Sequence, residues 1–141
     1  MISVDLLTQE FFHGVFAIPF AYILWKKTGS WKRSLLVLIF TYVIDLDHLV
    51  DYFAYYGATF NISDFLSATY FQTSQKAIVP LHAWEWGVIL TIFARMRGWK
   101  SVFTIFLFSL LPHLIYDAIT VNSLAFYSII YRVEKNFINL N

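Results

Sequence analysis

Apolar runs separated by short charged or polar punctuation divide the chain. The first extends from about Leu6 to Trp25 and closes on Lys26 and Lys27; the second starts at Ser34, after Lys32 and Arg33, and reaches about Tyr56. The third, Val79 to Ala94, ends at Arg95, Arg97 and Lys100, and the fourth goes from Ser101 to about Ile119. A helix needs about 20 residues to cross a hydrocarbon layer of ~30 Å, so this pattern predicts four transmembrane helices. Asn61 to Lys76, rich in Asn, Ser, Thr and Gln, is a predicted loop. Ser123 to Tyr131 is too short to span alone; it either joins Ala118 to Asn122 in a tilted fifth segment or lies in the interface. The first run lacks the basic start and small-residue cleavage site of a signal peptide, so it is expected to be retained.

Composition favours lipid over water as the solvent. Of the 141 residues, 59% are hydrophobic and 13% are charged, against about 25% charged in soluble domains. The expected fold is all-α: a polytopic helical membrane bundle forming a single integral membrane domain over residues 1–141. A formal net charge of +1 provides no field for phosphate backbones, which excludes a nucleic-acid partner. There is no cysteine, so a metal site would use nitrogen and oxygen ligands.

Basic residues orient the bundle. Lys26, Lys27, Lys32 and Arg33 separate runs one and two, and Arg95, Arg97 and Lys100 separate runs three and four, while Lys76 stands alone on the opposite side. The positive-inside tendency makes the two basic loops cytoplasmic and turns the Asn61–Lys76 loop outward, as in a prokaryotic inner-membrane protein. Arg132 and Lys135 would be cytoplasmic if a fifth segment crossed.

The informative residues are polar ones inside apolar runs. All four histidines, His13, His48, His82 and His113, lie there, with Asp45, Asp47, Asp51, Glu85 and Asp117. No Lys or Arg occurs inside the four runs to neutralise them. Such groups usually face a bundle interior and mark function. His13, His82 and His113 each stand 13 residues from a basic flank (Lys26, Arg95 and Lys100), and His48 stands 15 from Arg33. That places all four roughly 20 Å above the basic edge, in the outer half of the bilayer. On straight helices His113 and Asp117 (i, i+4) share a face, His82 and Glu85 (i, i+3) nearly do, and Asp47, His48 and Asp51 fill one arc. Pro80 and Pro112 are the expected places for an opening or a kink.

Carboxylates and imidazoles converging without cationic partners suit a divalent cation. Zn is the first expectation, with Mn, Fe or Mg as alternatives. The metal-ligand candidates are His13, Asp47, His48, Asp51, His82, His113 and Asp117. The catalytic candidates are Glu85, as general base, and Asp45, which alternatively orients a ligand histidine. Structural readings stand beside these: His13 as a bundle residue, Asp51 as a membrane-exit marker beside Tyr52, Tyr55 and Tyr56, and His82–Glu85 as an interhelical hydrogen bond. Asp5, Glu10, Asp64 and Glu134 read as solvated surface charges. H-E-x-x-H, G-x-S-x-G and a glycine-rich phosphate loop are all missing from the sequence.

The segments I-D-L-D-H-L-V-D at Ile44–Asp51, L-H-A-W-E at Leu81–Glu85 and P-H-L-I-Y-D at Pro112–Asp117 resemble the membrane-bound metal-dependent hydrolases of bacteria and archaea. The resemblance extends from His13 to about Thr120. It implies His13, Asp45, Asp47, His48, His82, His113 and Asp117 as metal and active-site positions. Two departures stand out: Ile44 replaces the family's proline, and the family's H-R-G-x-x-H-S stretch is reduced to Leu81–Glu85, without its first histidine.

The expected function is therefore a membrane-embedded metal-dependent hydrolase of an amphiphilic phosphate or carboxylic ester, working in the extracytoplasmic half of the bilayer. The rival readings are a proton- or metal-ion-conducting transporter, a b-type haem protein, which the nearby acids disfavour, and a non-enzymatic membrane assembly factor.

Overall fold

Two tight turns at one end of the molecule tie its long helices in pairs. The computed structural model describes residues 4–138, with side chains from residue 7, so the surface role expected for Asp5 lies outside the described side chains. Helix α1 (Val4–Thr28) stops at Gly29, whose φ of +68° suits a residue without Cβ and whose N–H bonds Trp25 O at 2.7 Å. Lys26 and Lys27 in its last turn complement the helix dipole. Two residues later α2 (Trp31–Val43) runs back. Helices α6 (Trp84–Arg97) and α7 (Val102–Thr120) repeat the device, as Gly98 ends the first and Ser101 caps the second by accepting the N–H of Thr104.

Both turns carry the basic residues, and an Arg33 guanidinium bond to Lys100 O joins one to the other. Lys27 lies 5.6 Å from the Trp99 ring centre across the same junction. The basic loops therefore form one end of the bundle, as the charge pattern predicts.

Helix α7 is the central rod, packed against α1, α2 and α6. Near the basic end Ala21, Leu24, Val37 and Ile105 form a small apolar core, where Ser109 Oγ sits 3.0 Å from Val37 O of α2. A second core, including Ile44, Val79, Leu110, Leu114 and Tyr127, lies toward the other end. Many large apolar side chains point outward, among them Met96 at 71% and Val88 at 62% exposure.

The described residues are helical without a strand, although the rods are less regular than the apolar runs predict. The second run divides into α2, a 3-10 turn at Ile44–Asp47 and α3 (His48–Tyr56). The third is irregular through residues 79–83, consistent with Pro80, and becomes helical only at Trp84. Helices α2 and α6, of 13 and 14 residues, consequently measure only about 20 Å each. Among the described residues α7 is the one helix long and apolar enough, by length and composition, to cross a membrane.

The predicted loop contains two short helices, α4 (Ile62–Ser67) and α5 (Thr69–Ser74). The chain after α7 does not form a fifth rod. It turns at residues 121–124, makes a 3-10 turn at Ala125–Tyr127 and ends in the six-residue α8 (Ile129–Glu134). This segment folds back over residues 76–85: Phe137 O accepts the N–H of Ala77 at 2.9 Å, and Arg132 reaches the carbonyls of Val79 and His82. Arg132 is thus at the histidine end, opposite the basic loops, because its fully buried guanidinium supplies donors to an irregular segment that lacks helical partners.

Candidate metal centre

The 3-10 turn aligns the first group of side chains. Three residues per turn place i and i+3 one above the other, so Asp45 and His48 stand in line, with Asp45 Oδ1 3.9 Å from His48 Nε2. Asp47 and Asp51, one α-helical turn apart, face residues 78–82 instead. Asp51 accepts the N–H groups of Ile78 (2.5 Å) and Val79 (2.9 Å), and Asp47 accepts that of Leu81 (2.6 Å). Arg132 donates to Val79 O at 3.0 Å and His82 O at 2.9 Å. These bonds satisfy a buried, non-helical backbone. They also hold Val79 at a φ of +29°, which a β-branched residue seldom adopts.

This clamped segment delivers His82, which is 3% exposed. Its Nδ1 meets Asp47, 3.0 Å from Oδ1 and 3.1 Å from Oδ2. An N–H donated there leaves Nε2 as a free lone pair, the tautomer that a carboxylate–histidine–metal arrangement requires. Nε2 of His82 faces Nε2 of His113 at 3.0 Å. Asp45 Oδ1 lies 3.3 Å from the first and 3.4 Å from the second; Asp117 Oδ2 lies 3.5 and 3.2 Å from the same two atoms. Two imidazoles and two carboxylates from three parts of the chain thus converge on one point.

His13 completes the layer from α1. Its Nε2 is 2.7 Å from Asp117 Oδ1, and its ring stacks on His113 at 4.1 Å. His48 stacks on His82 at 4.9 Å and is the most open of the histidines named in ion pairs, with 30% of its side chain exposed. Buried His and Asp groups here have the spacing to hold a metal ion, in overlapping sets: His13–His113–Asp117, Asp45–His82–His113 and Asp47–His48–His82. His13 Nδ1, His113 Nδ1 and Asp45 Oδ2 are buried without a hydrogen-bond partner. Such a donor set, with which no Lys or Arg among the described residues pairs, could hold a metal ion.

The layer opens into a cleft of about 370 Å³. His13, Asp45, His48, His82 and Asp117 line it with Gln9, Glu10 and Gln72, and Phe71, Val79, Phe126 and Tyr127 supply an apolar wall. Nearby, in the loop, burial raises the pKa of the Tyr70 hydroxyl, and the charges of Asp51, Asp47 and Asp45 add to that effect.

The structure gives several of the expected site residues particular neighbours. Asp51, expected as a metal ligand, has both carboxylate oxygens committed to backbone N–H groups. Asp45, expected as catalytic or orienting, lies within ligand spacing of His82 and His113, and Asp47, expected as a metal ligand, meets His82 Nδ1 while also lying within ligand spacing of His48 and His82. Glu85, expected as general base, faces away from the cleft. Its carboxylate accepts from Ser128 Oγ at 2.6 Å and from the N–H groups of Ile129 and Ile130, at the start of α8. The helical pairing of His82 with Glu85 fails because His82 precedes the helix. Glu10, read as a surface charge, lines the cleft and lies within ligand spacing of His13 and Asp45. Its sequence signal was the E-x-x-H spacing at Glu10–His13, which puts both residues on one helix face.

No family model, curated protein or solved structure matches the chain.

Proposed function

We propose that the chain is a four-span integral membrane protein whose histidine–aspartate layer holds a divalent metal and hydrolyses an amphiphilic ester, as its resemblance to membrane-bound metal-dependent hydrolases implies. One observation carries the reading. His82 Nε2, His113 Nε2, Asp45 Oδ1 and Asp117 Oδ2 are separated by 3.0–3.5 Å in the five measured pairings. A tetrahedron with metal–ligand bonds of 2.0–2.2 Å has edges of about 3.3–3.6 Å. That similarity, with nitrogen and oxygen donors alone, favours zinc.

Support for the membrane comes from the outward Val88, Ile92 and Met96 of α6 and Phe11 and Ile18 of α1, which would be an aggregation liability in water. The irregular residues 79–83 are compatible with bilayer depth, because their polar backbone is buried and bonded within the protein. Residues 31–56 and 79–97 then supply the second and third spans, and the short C-terminal segment rests at the outer interface.

When bound, the ion would polarise an ester oxygen and acidify water at neutral pH. The chain's own residues do the rest. Asp47 keeps the His82 proton on Nδ1. The more open His48, on the cleft wall, presents its ring beside the donor layer with Nε2 3.9 Å from Asp45 Oδ1. Phe71, Val79, Phe126 and Tyr127 give an acyl or isoprenoid portion an apolar surface beside the donor layer, which matches a phospholipid or isoprenoid phosphate.

The test uses the full chain, purified in detergent, loaded with zinc and mixed with phospholipid vesicles. Headgroup or fatty-acid release that disappears in His113→Ala is expected. Release that persists in that variant, or ion flux across vesicles without any cleaved product, would overturn the reading.

A further inference from the structure

The first donor set leaves oxygens and a histidine over. Asp117 contributes Oδ2 to the His82–His113 pair and turns Oδ1 toward His13 at 2.7 Å. Asp45 contributes Oδ1 and keeps Oδ2 buried without a partner. His13 is 5% exposed and its Nδ1 likewise has no partner. Glu10, one turn before His13, brings a further carboxylate within 4.8 Å ligand spacing of His13 and Asp45. E-x-x-H on a helix is a spacing that carboxylate-bridged two-metal bundles use to present two ligands from one rod.

We propose that Glu10 and His13 of α1 form a second divalent-cation site with the outer oxygens of Asp117 and Asp45, so that the two aspartates bridge a dinuclear centre. The inference rests on the first metal site of the preceding section and adds a second ion beside it. Charge favours the arrangement. Glu10, Asp45, Asp47 and Asp117 bring four negative charges to the layer, which two divalent ions would balance and one would not. Bridged ions lie about 3.5–4 Å apart, a separation that clamps the attacking and leaving oxygens of one phosphoryl or acyl group. Both sites would border the same cleft, which Glu10 and His13 line together with Asp45, His82 and Asp117.

Manganese is the probe. The full chain in detergent, stripped with chelator, is titrated with Mn(II), and bound ion is counted while the electron paramagnetic resonance spectrum is recorded. Two ions per chain with an exchange-coupled spectrum are expected, and Glu10→Gln and His13→Asn should each bind one ion with an uncoupled six-line signal. Circular dichroism on the same samples confirms that the variants keep their helix content. The wild-type spectrum decides even if a variant fails to fold. One ion and an uncoupled signal at saturation would overturn the second site and leave the first standing. No bound ion would overturn both. Two coupled ions without ester cleavage would sustain the dinuclear centre while removing the hydrolase reading.

Discussion

One oxygen of Asp47 holds the His82 segment at two points, accepting the N–H of Leu81 at 2.6 Å and meeting His82 Nδ1 at 3.1 Å. One carboxylate therefore fixes both the path of the segment and the tautomer of a ring whose Nε2 enters the donor set. Removing the charge while keeping an acceptor separates these tasks. Asp47→Asn should leave the fold intact and lower zinc affinity about 10–100-fold, as loss of an orienting partner typically does. Competition against a chelating dye measures it; an unchanged affinity would mean that Asp47 does not orient the ring.

Asp51 makes a contrasting case. Asp51→Ala strands the N–H groups of Ile78 and Val79, at a cost of about 1–3 kcal/mol for each buried donor. A clear drop in the thermal unfolding temperature in detergent is expected, with Asp51→Asn between the two. Molecules that remain folded should keep their ion content. Loss of ion without loss of stability would make Asp51 a ligand after all.

Glu85 belongs to the C-terminal segment in function though not in sequence. Its carboxylate sits at the start of α8, where a negative charge contributes about 0.3–1 kcal/mol. Glu85→Gln should therefore speed hydrogen exchange through Ile129–Glu134 and leave ion content and ester cleavage unchanged. Abolished cleavage with unaltered exchange would restore the residue to catalysis.

These cases mark the limit of what the residues alone reveal. That His13, His82, His113 and Asp117 come together in one layer away from the basic end was legible, because a histidine or acid in an apolar run is conspicuous and its distance from a basic flank can be counted. The two loops that share one end were legible too, from the basic residues between the runs, although the glycines that close the helices there, Gly29 and Gly98, were not singled out. The breaks were not. Counting 100° per residue assumes an unbroken helix, and the second and third runs break at Ile44–Asp47 and at residues 79–83. An acid whose partner is a main-chain N–H, as with Asp51 and Glu85, looks in sequence like one awaiting a metal. Every residue offers the same backbone donor, so no pattern identifies the one it serves. Arg132, read in the sequence only as a flank of a possible fifth segment, hid its role for the converse reason: its partners are two carbonyls freed only by the irregular segment.

The proposed four-span topology gives a further expectation. Single cysteines are readily placed in a chain that has none. Ser63→Cys should react with an impermeant maleimide added outside intact cells, Lys32→Cys only after permeabilisation, and Ile92→Cys, on the outward face of α6, in neither case. Rapid labelling at Ile92 in intact membranes would place α6 in water and end the four-span reading.

The most direct test is X-ray absorption at the zinc edge on zinc-loaded full chain. Nitrogen and oxygen neighbours at about 2.0–2.2 Å are expected, with outer-shell scattering from imidazole that falls in His82→Ala and His113→Ala. A spectrum of hydrated zinc, unaltered by either substitution, would contradict a metal centre at this histidine–aspartate layer.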